Sequence, residues 1–168
     1  MFEFAILLIF PAMMAFAAAS DLFTMTISNR VSLVLVAGFM VLAIVTGMSW
    51  PTIGMHVAAG FLVLSIGFVC FAFGWMGGGD AKLAASTALW LGWSQLLDYA
   101  IWASLFGGVL TLGLLALRGA PLHPPFLMRE GWYARITDEK TGIPYGIALA
   151  AAGLILYPSS FWMTGALH

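Results

Sequence analysis

Long apolar segments separated by short polar ones run through the whole chain. A helix needs about 20 consecutive apolar residues to cross a bilayer. Six segments approach that length, and the fourth is the shortest. One all-α membrane domain over residues 1–168 is therefore predicted, with short loops and one longer connection at residues 118–142. The six predicted membrane-spanning helices lie at residues 4–20, 31–47, 53–73, 83–97, 99–117 and 143–163.

Composition agrees with a chain that lies in the lipid bilayer. The sequence is 62% hydrophobic and 8% charged, whereas a soluble domain carries about 25% charged residues. The net charge of −1 gives no general attraction for nucleic acid. The single cysteine, Cys70, excludes a disulfide framework and a cysteine-based zinc site. The three histidines are far apart, so the sequence predicts no metal site.

The basic residues indicate how the protein is oriented. Every Lys and Arg falls in one of three connections that six spans place on the same side of the membrane. The positive-inside rule makes this side cytoplasmic and puts both termini in the periplasm. Without the short fourth span the charges would be divided between both sides, so their distribution supports six spans. The six basic residues of the chain are Arg30, Lys82, Arg118, Arg129, Arg135 and Lys140.

Two carboxylates lie at the membrane boundary on this side. Asp21 ends the first apolar segment, and Asp80 follows the third. A charge is costly to keep there and generally serves a function. Because both residues share a depth, they could meet and share one proton. One carboxylate would then activate water while the other polarises a peptide carbonyl, which requires neither metal nor cofactor.

Glycines and a lysine surround the second carboxylate. Gly77 to Gly79 either supply unusual backbone conformations and room for a substrate backbone, or form a simple flexible turn. In both cases Asp80 is expected on a mobile loop. Lys82 either tunes the carboxylates or anchors the topology. The 118–142 connection either lies on the membrane surface as a linker or contacts substrate.

Further glycines predict close packing of the third span. Gly60, Gly67 and Gly74 are seven residues apart and would mark one face of that helix. Small residues on one face let helices approach closely in lipid.

Three segments resemble motifs of the type IV prepilin peptidases. Residues 77–83 read Gly-Gly-Gly-Asp-Ala-Lys-Leu and resemble the family's GxGDxKL signature. Asp21 precedes Asn29 by eight residues, as in the family segment where an Asp precedes Ile-Pro-Asn, although Ser28 replaces the proline. Residues 143–148 resemble the motif that opens the family's last helix. These matches occur in order and agree with the six-span topology.

The resemblance implies a membrane aspartic endopeptidase. Such enzymes remove the short basic leader of prepilins and pseudopilins at the cytoplasmic face of the bacterial inner membrane. By match to the motifs, Asp21 and Asp80 would form the catalytic pair. Four residues would support the site: Gly77, Gly79, Lys82 and Asn29.

The size of the chain narrows the resemblance. Larger bifunctional members carry an additional cytoplasmic domain with paired CxxC motifs and also methylate the new N-terminus. Here Arg30 follows Asp21 by only nine positions, and the chain has one cysteine. The sequence resembles the short, peptidase-only members of Flp (Tad-type) pilus systems. Cleavage without methylation, and without S-adenosylmethionine, is therefore expected.

Other functions stay open from the sequence. The two aspartates would also suit a small proton- or ion-coupled transporter, although both lie at one boundary. A non-catalytic subunit of a pilus or secretion machine could keep the same fold. Another GxGD protease, presenilin-like or acting on preflagellins, is a further alternative. The oligomeric state and the identity of the pilin are not specified by the sequence.

Overall fold

The chain folds into helices joined by short turns. The structure, a computed structural model, describes residues 2–120, 124–138 and 140–164. That part of the chain contains helices and no strand, which confirms the predicted all-α class. Short 3₁₀ turns at Trp93–Gln95 and Tyr157–Ser159 interrupt the later helices. The α-helices are α1 Phe2–Thr24, α2 Asn29–Val45, α3 Trp50–Ala72, α4 Gly78–Leu91, α5 Leu96–Arg118, α6 Pro125–Met128, α7 Gly131–Thr137, α8 Tyr145–Leu156 and α9 Phe161–Thr164.

Helical segments occur at all six predicted spans, but they are not alike. In the described residues, four segments are long and apolar enough to cross a membrane: 4–24, 50–72, 93–118 and 145–164. Helix α2 is apolar but has only 17 residues. Helix α4 has 14 residues and is not among the candidate spans. Six full-length spans are therefore not confirmed.

Helix α4 is short because it lies inside the bundle. Every residue from Leu83 to Leu91 is buried, and the helix packs against α2, α3, α5 and α8. A Cβ added at Gly60 of α3 would lie 3.1 Å from the Leu89 Cβ, and one at Gly67 would lie 2.9 Å from the Ala81 Cβ. The predicted glycine face of α3 thus lets α4 approach closely. An enclosed helix does not have to match the bilayer thickness by itself.

The third glycine of that series has a different role. Gly74 follows the end of α3 with φ of +73°, a conformation that favours glycine. Its N–H donates to the Phe71 carbonyl, and the Trp75 N–H donates to the Cys70 carbonyl, both at 2.9 Å. These two bonds form a Schellman motif, which ends the helix. Gly74 therefore turns the chain towards α4 and does not lie on the packing face of α3.

Helix α4 begins five residues before the predicted fourth span. Asp80 and Lys82 consequently lie on its first turns and not on a mobile loop. Asp80 is the third residue of the helix, and its carboxylate accepts the N–H of the N-cap residue Gly77. A carboxylate in this position satisfies an otherwise unpaired N–H and interacts favourably with the positive end of the helix.

The long connection is fastened to the helix ends. The Arg118 side chain donates to the carbonyls of Ile136 at 2.8 Å and Gly142 at 2.9 Å. The Arg135 side chain donates to the Phe23 carbonyl at 2.6 Å. Helices α6 and α7 therefore lie against the end of the bundle where α1 and α5 finish and α8 begins.

Candidate active site

Asp21 and Asp80 line one cavity of about 400 Å³ at this end of the bundle. Asp21 lies in the last turn of α1 and is 5% exposed, while Asp80 lies in the first turn of α4. The predicted convergence of two carboxylates from different helices is thus present. A second cavity, of about 260 Å³, is lined by the same two aspartates and by Gly77 to Gly79. The other residues of the first cavity are Met25, Gly74, Trp75, Met76, Gly77, Gly142, Ile143 and Tyr145.

The first turn of α8 holds Asp21 in place. The Gly146 N–H donates a hydrogen bond of 2.7 Å to Asp21 Oδ2. The N-cap of α8 is Pro144, which provides no side-chain cap. Helix N-termini carry unpaired N–H groups and attract negative charge. The carboxylate of Asp21 therefore caps α8 from a different helix.

The Asp80 carboxylate lies at the N-terminus of its own helix, α4. Burial and the nearby charge of Asp21 raise the pKa of Asp80 from 3.8 to about 6, and the Gly77 N–H opposes this shift. Asp80 lies outside the four candidate spans. Two neighbouring carboxylates can hold one proton between them, because a charge on one disfavours ionisation of the other. This arrangement can supply an acid and a base together.

The glycines of the 77–79 segment serve the site through their small size. The described glycines with positive φ lie elsewhere, so the alternative of unusual backbone conformations is wrong for this segment. The alternative of a simple flexible turn is wrong too, because Gly77 is the N-cap of α4 and Gly78 and Gly79 are its first residues. A Cβ at Gly77 would lie 2.9 Å from Asp80 Oδ2, and one at Gly79 would lie 3.1 Å from the Ile27 Cβ. Gly77 thus leaves room for the carboxylate, and Gly79 lets α4 approach the α1–α2 turn.

Lys82 and Asn29 meet each other. Lys82 Nζ donates a 2.9 Å hydrogen bond to Asn29 Oδ1, which joins the first turn of α4 to the start of α2. In the described part of the chain, no ion pair within 4.0 Å joins Lys82 to Asp21 or Asp80. The Ser28 hydroxyl accepts the Arg30 N–H at 3.3 Å as the N-cap of α2. The resembled motif has proline at this position of the turn. Here Ser28 stabilises the turn by capping α2.

Several residues in and around the cavities were not identified from the sequence. Gly146 contacts Asp21 through a backbone amide, which has no residue-type pattern, and only the resemblance of residues 143–148 pointed to its segment. Met25 has φ of +54°, an uncommon conformation for a residue with a side chain. Trp75 and Met76 lie on the turn between α3 and α4. Among the described residues, no group of three or more His, Cys, Asp or Glu is placed to hold a metal ion.

Apolar helices and a cavity lined by two carboxylates define a helical membrane protein with a paired-carboxylate site. The sequence model of the type IV leader peptidase family matches residues 8–112, and the chain belongs to this family. The match includes Asp21 and Asp80 and confirms the resemblance inferred from the motifs. Family and helices together indicate a protease that passes through the inner membrane several times. No curated protein and no solved structure gives a significant match.

Proposed function

We propose that this protein is an aspartic endopeptidase that removes the leader peptide of Flp-type prepilins or pseudopilins. The observation that carries the proposal is the placement of Asp21 and Asp80, from separate helices, in one cavity. Membership of the type IV leader peptidase family supports the reaction class. The single cysteine supports the short, peptidase-only form, which cleaves without methylation and uses no S-adenosylmethionine.

The proposed reaction uses one proton shared by the two carboxylates. Asp80 carries the proton in the reactive form of the pair, because burial and Asp21 raise its pKa to about 6, so that roughly a tenth of the molecules hold this proton at pH 7. Ionised Asp21 takes a proton from water as the water oxygen attacks the carbonyl carbon of the scissile peptide bond. Asp80 gives its proton to the carbonyl oxygen, which forms a tetrahedral diol. The carbon–nitrogen bond then breaks, Asp21 protonates the leaving amine, and Asp80 regains a proton from the diol.

The charges around the cavity support a cytoplasmic site. Arg30, Lys82, Arg118 and Arg135 lie at the end of the bundle that carries the two aspartates. By the positive-inside rule this end faces the cytoplasm, and both termini face the periplasm. A prepilin would keep its leader at this surface, with its apolar segment in the lipid.

Two other functions predict different experimental results from this proposal. A proton- or ion-coupled transporter would be expected to place its carboxylates near mid-membrane, whereas Asp21 and Asp80 lie at one end of the bundle. If that function holds, Asp-to-Asn variants lose ion coupling and prepilin processing does not depend on them. A non-catalytic assembly subunit would require neither carboxylate.

Co-expression with a Flp-type prepilin tests the proposal. Processing is followed by gel shift, N-terminal sequencing and mass spectrometry for wild type, Asp21→Asn and Asp80→Asn at equal membrane levels. The matched control is Asp98→Asn, because Asp98 is exposed in the first turn of α5, at the opposite end of the bundle. We expect wild type and the control to release an unmethylated pilin, and both site variants to fail. Normal cleavage by either site variant would refute the catalytic assignment.

A further inference from the structure

An apolar groove of about 490 Å³ begins at the candidate active site and follows the outside of the bundle between α5 and α8. Met76 and Tyr145 line both this groove and the cavity that contains the two aspartates. The groove therefore adjoins the cavity at these two residues. A chain lying in the groove would have its end beside the cavity that holds the carboxylates.

The groove floor is made of small side chains. Helix α5 contributes Ala103, Gly107 and Gly108, and α8 contributes Ala148. Small residues at these positions allow a second helix to approach closely in lipid. The space is thus suited to one face of a helix.

Three polar side chains line the groove, Ser104, Thr111 and Tyr145, and the last two make hydrogen bonds within the protein. The Thr111 hydroxyl donates to the Gly107 carbonyl at 2.7 Å and lies 3.2 Å from the Tyr145 hydroxyl. The Tyr145 ring would lie 3.4 Å from a Cβ at Gly107. The Tyr145 ring therefore forms part of the α8 side of the groove. The wall offers mainly apolar surface.

The groove opens sideways towards lipid. Leu112 on its rim is 70% exposed, and the neighbouring α5 residues Leu105 and Val109 are 52% and 63% exposed. From Leu112 to Ala103 the groove follows α5 for about 14 Å, or two and a half helical turns. It thus extends from the catalytic end of the bundle into the apolar layer.

We infer that the groove binds the apolar membrane helix of the substrate, which follows the scissile bond. This inference rests on the proposed function. A leader peptide at the membrane surface is followed by an apolar segment, so a substrate helix in the groove places the intervening bond at the aspartates. The position of the groove directly beside the cavity favours the substrate over a lipid or a second copy of this chain, neither of which has to reach Asp21 and Asp80.

Two glycine substitutions on one helix test the groove. A Cβ at Gly108 or at Gly113 meets nothing within 4 Å, and both residues are exposed on α5, but only Gly108 lines the groove. Gly108→Leu fills the groove, and Gly113→Leu is the matched control. The measurement is the processing rate of a full-length prepilin divided by that of a soluble peptide that lacks the apolar segment. We expect this ratio to fall about tenfold or more for Gly108→Leu, because the substrate helix loses buried contacts, and to stay constant for Gly113→Leu.

Photocrosslinking tests binding separately from cleavage. A benzophenone amino acid replaces Gly108 or Gly113 in the inactive Asp80→Asn background, and the prepilin is co-expressed. We expect position 108 to capture the apolar segment of the prepilin and position 113 not to capture it. The proposed role of the groove would be overturned by equal capture at both positions or by capture only of lipid or of a second copy. An unchanged processing ratio for Gly108→Leu would overturn it as well. If wild type cuts no prepilin, the proposed function fails, and the crosslinks still decide what the groove binds.

Discussion

The backbone N–H of Gly146 lies 2.7 Å from Asp21 Oδ2, so a residue of α1 caps the N-terminus of α8. A Cβ at Gly146 would lie 2.7 Å from that oxygen and 2.6 Å from the Ile27 Cδ1. Only glycine fits between these groups. The orientation of Asp21 therefore depends on a residue 125 positions further along the chain.

Replacing this glycine is expected to inactivate the protein. The Cβ of Gly146→Ala displaces the Asp21 carboxylate, and a misplacement of about 1 Å can cost roughly 100-fold in rate. Prepilin processing at equal membrane levels is the measurement. Gly113→Ala is the control, because a Cβ at Gly113 meets nothing within 4 Å. Full processing by Gly146→Ala would show that this contact does not position Asp21.

The raised pKa of Asp80 predicts a pH-dependent stability difference between wild type and Asp80→Asn. The folded state holds the Asp80 proton more tightly than an exposed aspartate with its pKa of 3.8. Wild type is therefore stabilised below pH 3.8, and this contribution is lost as pH rises to about 6. Asparagine carries no such charge. We expect Asp80→Asn to melt roughly 2–6 °C above wild type at neutral pH, with a smaller difference near pH 4.

Thermal unfolding in detergent or lipid discs at several pH values measures this effect. Asp98→Asn is the control, since Asp98 is exposed and lies away from the pair. A difference between Asp80→Asn and wild type that does not change with pH would contradict a shared, destabilised charge at the site.

The hydrogen bond between Lys82 and Asn29 predicts coupling between these two residues. Lys82→Met and Asn29→Ala should each lower the free energy of unfolding by about 1 kcal/mol, the usual contribution of one such bond. The double variant should lose little more than either single variant, because the same bond is removed. Denaturant unfolding in mixed micelles measures the cycle. Strictly additive losses would mean that the bond does not hold α2 and α4 together.

Packing of α3 on α4 predicts opposite effects for two glycines of α3. A Cβ at Gly67 would lie 2.9 Å from the Ala81 Cβ, whereas one at Gly54 meets nothing within 4 Å. Gly67→Ala should destabilise the protein by about 1–3 kcal/mol through overpacking, and should reduce processing because Ala81 adjoins Asp80. Gly54→Ala should be neutral or stabilise by up to about 1 kcal/mol, from helix propensity alone. Equal effects on melting temperature would contradict the close approach of α3 and α4.

The segments that face lipid were predictable from the sequence, whereas the bounds of the enclosed helix α4 were not. Apolar length located α1, α3 and α5 because exposed apolar surface is what such a pattern encodes. Helix α4 is covered by other helices, so its length and its start at Gly78 follow from packing and capping. The loop placement of Asp80 was wrong for this reason.

The site was predictable where charge carries the information. The unusual positions of Asp21 and Asp80 and the grouping of basic residues pointed to one end of the bundle, where both carboxylates now line a cavity. Contacts made by backbone groups cannot be recognised from the residue types in the sequence. The hydrogen bond from Gly146 and the helix stop at Gly74 depend on conformation, and glycine alone does not distinguish a packing face from a turn.

The enclosure of α4 separates the candidate chemistry from the lipid. Bilayers of different thickness tilt or distort the helices that match them, at a cost that depends on the apolar length exposed. Helix α4 is buried from Leu83 to Leu91 and has no apolar length of its own to match. Asp80 thus lies on an enclosed helix whose position is set by packing against other helices. Changes in lipid chain length reach this carboxylate only through the surrounding helices.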